Sequence, residues 1–257
     1  MKSPVAGREK GKTSDIRLVV DSHQIRQDMI VLNREQEHYL RRVVRLENGA
    51  SFVAIDGKGG GWRVCLTSQG AQILESLSEN RELPVNVTVV VALPKGNGFD
   101  EIIRCCTELG VASFLPAQAE RTLLHPGENK IQRWRKIAKE AVEQSERLIV
   151  PSITEPRPIR EIFAEFSTKN LPKYIAVARG NSPHLLSVCQ KDFSSSNLPS
   201  EIVVATGCEG GWTKEEIEMA MGAGFQMVSL GKRILRAITA PITAMAIISS
   251  LWESGRN

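Results

Sequence analysis

The sequence lacks a long, uninterrupted apolar segment. Its longest apolar tract covers residues 234–251, and Arg236 and Pro241 interrupt it. Because a membrane-spanning helix needs about 20 mostly apolar residues, this tract predicts a buried helix and no membrane association. The sequence also lacks a charged start followed by an apolar core and a cleavage site. No secretory signal is therefore predicted, and we expect a cytoplasmic protein.

Metal-binding and disulfide patterns are missing as well. The number of cysteines, five, is odd, Cys105 and Cys106 are adjacent, and no CxxC pair occurs. The four histidines are scattered without the spacing of metal ligands. These features favour reduced thiols in a cytosolic protein over disulfide bonds or zinc. We therefore expect no bound metal.

A strong excess of one charge is absent too. The formal net charge is only +4, and four basic residues and one acidic residue in the segment 1–14 account for +3 of it. Overall charge is therefore a weak indication of nucleic-acid binding, which local clusters must support. What is present is ordinary globular composition, with 42% hydrophobic and 24% charged residues. The length of 257 residues predicts one large domain or two unequal ones.

The first part of the chain predicts a small β-rich domain over residues 15–80, after a flexible basic tail at 1–14. Short strand patterns alternate with turns there, and a glycine-rich hairpin loop covers residues 56–61. The domain contains one helix, which Asn33 and Gln36 open as a capping box.

The predicted secondary structure changes over residues 84–257, where strands alternate with helices. Residues 85–93 form a nearly continuous apolar run, which is typical of a strand covered on both faces. The alternation predicts an α/β domain with a mostly parallel sheet and helices on both faces. Ligands bind beyond the carboxyl ends of the strands in such sheets. This rule points to the loops that follow Ala178, Ala205 and Leu230.

Residues 6–13 formally match a loose phosphate-loop pattern. A working phosphate loop needs a buried strand before it and a helix after it. Only five residues precede this match, and a strand is predicted after it. We interpret it as a chance match, which does not favour a nucleotide hydrolase.

Residues 207–213 (GCEGGWT) are more informative. They follow a valine-rich strand and precede a helix that Thr213 caps, with Glu216 completing a capping box. Glycines let the backbone approach a ligand closely and adopt positive φ. The pattern is not GxGxxG and no phosphate-loop lysine follows, so a dinucleotide is not favoured. Three glycines around an acid favour a ligand loop over a plain strand-to-helix turn.

A second glycine-containing loop, residues 231–233, follows the next strand. Beyond it Thr239 can cap a helix over residues 240–252, with Pro241 in its first turn. That helix is apolar nearly all round, so we expect other elements or a second subunit to enclose it. The two loops at consecutive strand ends are predicted to form one pocket, with Arg233 and Arg236 at its opening.

Basic residues form three clusters. Such groups on helices usually make a solvated face, and that interpretation competes with phosphate contacts at each cluster. The clusters are Arg41, Arg42 and Arg45; Arg133, Arg135, Lys136 and Lys139; and Lys232, Arg233 and Arg236.

Ordered motifs along nearly the whole chain resemble those of a known family. They are HYL at 38–40, VRL at 44–46, DG at 56–57, KG at 95–96, TELG at 107–110, ERT at 120–122, RW at 133–134, EA at 140–141, QS at 144–145, GCEGG at 207–211 and LGKRILR at 230–236. The family is that of the RsmE-type 16S ribosomal RNA methyltransferases. Its members methylate the N3 atom of a uridine with S-adenosylmethionine.

The resemblance implies a smaller N-terminal PUA-like β-barrel domain that helps to hold RNA. It also implies a C-terminal SPOUT domain, in which the chain forms a deep trefoil knot that departs from the usual rule of unknotted folds. Family members are homodimers, so a homodimer is expected here. The implied cofactor is S-adenosylmethionine, and the implied partner is 16S ribosomal RNA in the assembled small subunit.

The resemblance also implies roles for individual residues. For the cofactor they are Ala178, Gly207, Glu209, Gly210, Gly211, Leu230, Gly231, Ile234, Leu235 and Arg236. For RNA they are Arg41, Arg42, Arg45, Lys95, Arg121 and Arg233. Arg236 and Arg121 are expected to stabilise charge on the uracil oxygens. Glu209 is expected to act as a base or to orient the cofactor, although a loop acid can equally accept backbone N–H bonds.

Three positions depart from the family pattern. Cys208 stands where proline is usual, Cys105 where lysine is frequent, and Ile238 where glutamate is expected. The missing lysine and carboxylate motivate an alternative function. In this alternative the chain is a non-catalytic RNA-binding or ribosome-assembly protein that retains the SPOUT fold.

Overall fold

The computed structural model describes residues 13–78, 80–193 and 198–254. The chain divides into two compact units, Met1–Arg81 and Glu82–Asn257. The phosphate-loop match lies outside the described residues except for Thr13. The first strand begins at Thr13, whose backbone pairs with Ser51. The predicted tail 1–14 is therefore wrong in its last two residues, because they belong to a sheet.

Six strands of the N-terminal unit form one sheet. They are β1 (Thr13–Val19), β2 (Ile25–Arg26), β3 (Met29–Ile30), β4 (Ser51–Ile55), β5 (Gly61–Thr67) and β6 (Gly70–Ser76), in the order β1-β4-β5-β6-β3-β2. β1 and β4 are parallel, and the other neighbours are antiparallel. Fully buried Ile30, Leu40, Phe52, Val64 and Leu66 belong to its core.

The helix of this unit, α1 (Arg34–His38), begins at the predicted capping box. The Asn33 side chain accepts from the Gln36 amide, and the Gln36 side chain accepts from the Asn33 amide, both at 2.9 Å. The helix continues as a π-helical turn over Tyr39–Val43. The helix therefore ends at Val43, and its second half is wider than an α-helix.

The C-terminal unit contains a seven-stranded sheet whose pairings are all parallel. Its strands are β7 (Asn86–Ala92), β8 (Ser113–Gln118), β9 (Ser152–Ile153), β10 (Arg157–Pro158), β11 (Lys173–Ala176), β12 (Glu201–Thr206) and β13 (Gln226–Val228). Their order is β10-β8-β7-β12-β11-β13, and β9 pairs with β8 outside that path. The α/β architecture is confirmed.

Helices cover both faces of this sheet. They are α2 (Gly98–Glu108), α3 (Glu128–Ser145), α4 (Ile159–Ser167), α5 (Leu185–Asp192), α6 (Lys214–Gly222) and α7 (Thr239–Ser254). Alternate residues of β7 belong to two separate cores: Val89 and Val91 to the one formed with α2, α3, α5 and α7, and Val90 to the one formed with α4 and α6. Burial on both faces explains why this strand is an unbroken apolar run.

Most of the apolar tract near the end of the chain forms α7, as predicted, but Thr239 is the first residue of that helix and not its cap. Ala244, Met245, Ile248 and Trp252 are buried in the core on one face of the sheet. No helix in the described part of the chain is long and apolar enough to cross a membrane.

Helix α3 ends at Ser145 because the next residue, Glu146, adopts φ of +61°. Arg147 therefore lies outside the helix, where it is 3% exposed and donates from Nε to Glu82 Oε2 at 2.9 Å. The Glu82 carboxylate also accepts from the amides of Leu148 and Ile149. This buried ion pair fixes the loop after α3 against the beginning of the unit.

Candidate functional site

A cavity of about 800 Å³ lies at the carboxyl edge of the parallel sheet. It is lined by the segments that follow β11, β12 and β13, which are neighbours in the sheet. Its volume falls within the range of about 300–1,000 Å³ that small-molecule sites occupy. The predicted cofactor residues all line it: Ala178, Gly207, Glu209, Gly210, Gly211, Leu230, Gly231, Ile234, Leu235 and Arg236.

The glycine loop, residues 207–211, turns sharply after β12. The Gly211 amide donates to the Cys208 carbonyl oxygen at 2.8 Å, and Gly211 has φ of +66°. A Cβ atom on Gly207 would lie 3.3 Å from Gly211 Cα, closer than almost all such contacts. The turn therefore needs glycine at 211 for its dihedral angle and at 207 for its close backbone approach.

Helix α6 begins directly after this loop at the predicted capping box. Thr213 Oγ1 accepts from the Glu216 amide at 3.2 Å, and Glu216 Oε2 accepts from the Thr213 amide at 2.9 Å. Trp212, between loop and helix, donates from its indole N–H to the Ala176 carbonyl oxygen at the end of β11. These local bonds hold the loop after β12 against the neighbouring strand.

Arg121 reaches the glycine loop from the segment after β8. Its Nη1 atom donates to the carbonyl oxygens of Gly210 at 2.6 Å and Trp212 at 3.3 Å. A Cβ atom on Gly210 would lie 2.8 Å from Arg121 Cδ, so glycine leaves room for the arginine stem. Arg121 therefore lines the cavity and binds the loop that forms one of its walls.

Glu209 connects the glycine loop to the segment after β7. Its Oε1 atom accepts from the Lys95 amide at 3.0 Å. Lys130 of α3 donates from Nζ to the carbonyl oxygen of Gly96, the next residue, at 2.6 Å. Of the roles expected for Glu209, acceptance of a backbone N–H is thus the one with a contact in this structure.

The charged residues that line the cavity are four arginines and one glutamate. Arg233 and Arg236 follow β13, as expected, and Arg179 follows β11. Arg179 was missed by the sequence interpretation, although it directly follows the predicted cofactor residue Ala178. All four arginines are exposed, and their excess of positive charge favours an anionic ligand at the opening.

Two of the departures from the family pattern also line the cavity. Cys208 is buried, and Ile238 is half-buried. The Ile238 side chain packs against Gly98 at the start of α2, where a Cβ atom would lie 3.0 Å from its Cδ1 atom. The third departure, Cys105, is half-buried in α2, and burial raises the pKa of its thiol.

The basic residues expected to contact RNA lie in different surroundings. In the N-terminal unit, Arg42 and Arg45 are exposed. Arg41 instead donates to Asn48 Oδ1 at 3.0 Å and to the Thr67 carbonyl oxygen at 2.6 Å, so it also supports its own unit. In the C-terminal unit, Lys95 is exposed.

The second basic cluster, on α3, is occupied by ion pairs. Arg133 contacts Asp100 at 2.8 Å, Arg135 contacts Glu155 at 2.8 Å, and Lys136 contacts Glu140 at 3.9 Å. These pairs favour the solvated-face interpretation for this cluster.

Metal ligands do not cluster in the described part of the chain. No group of three His, Cys, Asp or Glu side chains there could hold a metal ion. The five cysteines are all free thiols, and burial raises the pKa of Cys189 to about 12.

Comparisons with known proteins agree with this architecture. A family model described as an RNA methyltransferase domain matches residues 81–249, and one described as an RNA methyltransferase PUA domain matches residues 32–74. Ribosomal RNA small subunit methyltransferase E of Synechocystis is 48% identical over 253 residues, which cover 96% of this chain and 82% of that protein. The protein of the same name from Bacillus subtilis is 32% identical over 229 residues, 85% and 89% of the two chains.

A solved structure of ribosomal RNA small subunit methyltransferase E from Neisseria gonorrhoeae is also similar. It is 28% identical, has a TM-score of 0.79, and the match covers 92% of this chain and 98% of that one. That protein was solved bound to S-adenosylmethionine. Its fold and the family matches agree with the α/β architecture of the C-terminal unit. This chain therefore belongs to the ribosomal RNA small subunit methyltransferase E family.

Proposed function

We propose that this protein transfers a methyl group from S-adenosylmethionine to the N3 atom of a specific uridine in 16S ribosomal RNA. The observation that carries the proposal is the meeting of three strand-end loops around one cavity, which the expected cofactor residues line. Membership of the family supports the reaction class and the RNA substrate.

The cavity residues fit the proposed cofactor. The loops after β12 and β13 offer backbone groups at Gly207, Gly211 and Gly231, and no Cβ atoms obstruct them. Leu230 and Leu235 provide an apolar surface for a purine ring. When bound, S-adenosylmethionine supplies an electrophilic methyl group.

The residues of the chain would do the remaining work. Uracil N3 carries a proton that must leave for a bond to carbon to form, and negative charge then develops on the carbonyl oxygens. Arg236 and Arg121, which both line the cavity, are the proposed donors to those oxygens. Glu209 Oε2 is the candidate acceptor of the N3 proton, while Oε1 holds the Lys95 amide. The loops would keep both reactants in attack geometry.

RNA would be held by charge and by exposure of the target base. Arg42 and Arg45 in the N-terminal unit and Lys95 and Arg233 in the C-terminal unit are the proposed phosphate contacts. The target uridine must leave its stack to reach the cavity. A homodimer, a trefoil knot, the assembled small subunit as substrate and a cytoplasmic location complete the proposal.

The test uses small ribosomal subunits from a strain that lacks this methylation. The purified protein and S-adenosylmethionine should produce N3-methyluridine, detected by mass spectrometry of nucleosides from the 16S RNA. Arg236→Ala is the matched control and should lose most of the product while keeping its melting temperature. Absence of product, with RNA binding retained, would instead support the non-catalytic alternative. Calorimetry with S-adenosylmethionine then separates a protein that binds the cofactor from one that does not.

A further inference from the structure

Glu216 is a buried carboxylate that makes more contacts than its capping motif explains. It is 4% exposed and belongs to the first turn of α6. Its Oε2 atom accepts from the Thr213 amide, which is the capping-box bond. Its Oε1 atom accepts from the amide of Glu120 at 2.8 Å, 96 positions away in the sequence.

These two bonds connect segments that both contribute to the cavity wall. Glu120 directly precedes Arg121, and Thr213 directly follows Trp212. Arg121 and Trp212 both line the cavity, whereas Glu216 does not. The single carboxylate therefore fixes the separation between the backbone that carries Arg121 and the backbone of the glycine loop.

Arg121 adds a second connection between the same two segments. Its Nη1 atom donates to the Trp212 carbonyl oxygen, so a ring of contacts runs through Glu216, Glu120, Arg121, Trp212 and Thr213. Arg121 is exposed and its side chain is long and flexible. Its position thus depends on the backbone at its base. Hydrogen bonds from backbone N–H groups to the carboxyl group of a capping residue are the strong class of hydrogen bond, which suits this purpose.

We propose that Glu216 is a positioning residue for methyl transfer and acts through Arg121. It holds the Glu120–Arg121 backbone where the arginine reaches both the glycine loop and the cavity. This inference rests on the proposed function. The competing role is that of a helix cap, in which Glu216 stabilises α6 and has no specific coupling to Arg121.

The test is a double-mutant cycle on the full-length protein, with initial rates of methylation of small subunits. Glu216→Gln keeps one acceptor oxygen but turns an NH₂ group toward the second amide N–H. Glu216→Gln and Arg121→Ala should each lower kcat/KM by about tenfold or more. If Glu216 acts through Arg121, the double variant should be within about twofold of Arg121→Ala. Multiplying effects, or a single variant with the rate of the unaltered protein, would overturn the inference.

Two controls separate positioning from simple stabilisation. Thr213→Ala removes the other half of the capping box and leaves the Glu216–Glu120 bond, so its effect on rate should multiply with that of Arg121→Ala. Glu218→Gln, at an exposed position of α6 where the side chain pairs with Lys214, should leave the rate unchanged. If Glu216→Gln does not fold, Glu216→Asp, which keeps the charge on a shorter side chain, takes its place in the cycle. If the unaltered protein has no methylation activity, the proposed function is refuted. The inference about Glu216 is overturned only when the unaltered protein is active.

Discussion

Ile238 lies directly against Gly98, so that a Cβ atom on the glycine would come within 3.0 Å of the isoleucine Cδ1 and Cγ1 atoms. The loop after β13 therefore contacts the start of α2 through an apolar side chain, at the position where the family pattern has a carboxylate. The Ile238 side chain fills this position with an apolar packing contact and also lines the cavity.

Ile238→Glu should lower the melting temperature without raising the methylation rate more than about twofold. The substitution places a carboxylate in a half-buried apolar contact, which costs on the order of 1–3 kcal/mol. Differential scanning fluorimetry and initial rates check both outcomes, with Ile238→Leu as the volume-matched control. A large gain in rate would show that the missing carboxylate limits the native protein.

Gly211→Ala should weaken cofactor binding in a folded protein. A Cβ atom there meets nothing within 4 Å, so the cost is that of φ at +66°, about 1–2 kcal/mol for a non-glycine residue. Gly222→Ala in α6 also meets nothing within 4 Å but lacks a positive φ, so it should leave binding unchanged. Calorimetry with S-adenosylmethionine measures the difference, and equal affinity for both variants would contradict the strained-turn argument.

Arg147→Ala should destabilise the C-terminal unit by about 3–5 kcal/mol, because it removes the buried Arg147 side chain and its ion pair with the largely buried Glu82 carboxyl group. Arg135→Ala removes a solvent-exposed pair with Glu155 and should cost less than about 1 kcal/mol. Urea unfolding followed by circular dichroism measures both. If the two variants lose similar amounts of unfolding free energy, the Arg147–Glu82 pair stabilises the protein no more than an exposed pair does.

Glu165 should contribute to stability at neutral pH and lose that contribution in acid. The hydrogen bond from Arg157 at 2.8 Å is the main cause that lowers the pKa of its carboxyl group in the folded protein. A folded-state pKa below the unfolded one gives stability that is present above the unfolded pKa and lost as pH falls through the folded pKa. Glu165→Gln should flatten the acid limb of a plot of melting temperature against pH.

Arg157→Gln is the companion variant for the Glu165 experiment, since it removes the donor and leaves the carboxyl group. It should flatten part of the same pH interval, because Lys169 still contacts Glu165, and the double variant should match Glu165→Gln. An unchanged acid limb in both variants would mean that this pair has no influence on stability.

Local features of the fold could be predicted from the sequence because their partners are near in the chain. The two capping boxes, at Asn33 and at Thr213, each join residues three positions apart, and both form as predicted. The alternating burial of β7 produces an apolar run that is visible directly. By contrast, α4 and α5 were missed, and β11 and β13 each end two residues before their predicted limits at Ala178 and Leu230.

The sequence predicts which loops form the site. It does not predict the side-chain hydrogen bonds that connect those loops to other segments. Strand order follows from β-pairing across long separations, yet the strand-end rule sufficed to select the loops after β11, β12 and β13. The contact of Arg121 with Gly210 spans 89 positions, and that of Glu209 with Lys95 spans 114. No local pattern encodes such a pair, because side-chain geometry in the folded chain decides it.

The residues that line the cavity extend from Arg121 to Ala240, and nine of them follow β13. During synthesis, the amino-terminal strands leave the ribosome long before these last segments exist. A nascent chain that ends before these segments therefore has a sheet without a completed cavity. The methyl donor proposed for this cavity therefore has no complete site until translation has passed Ala240.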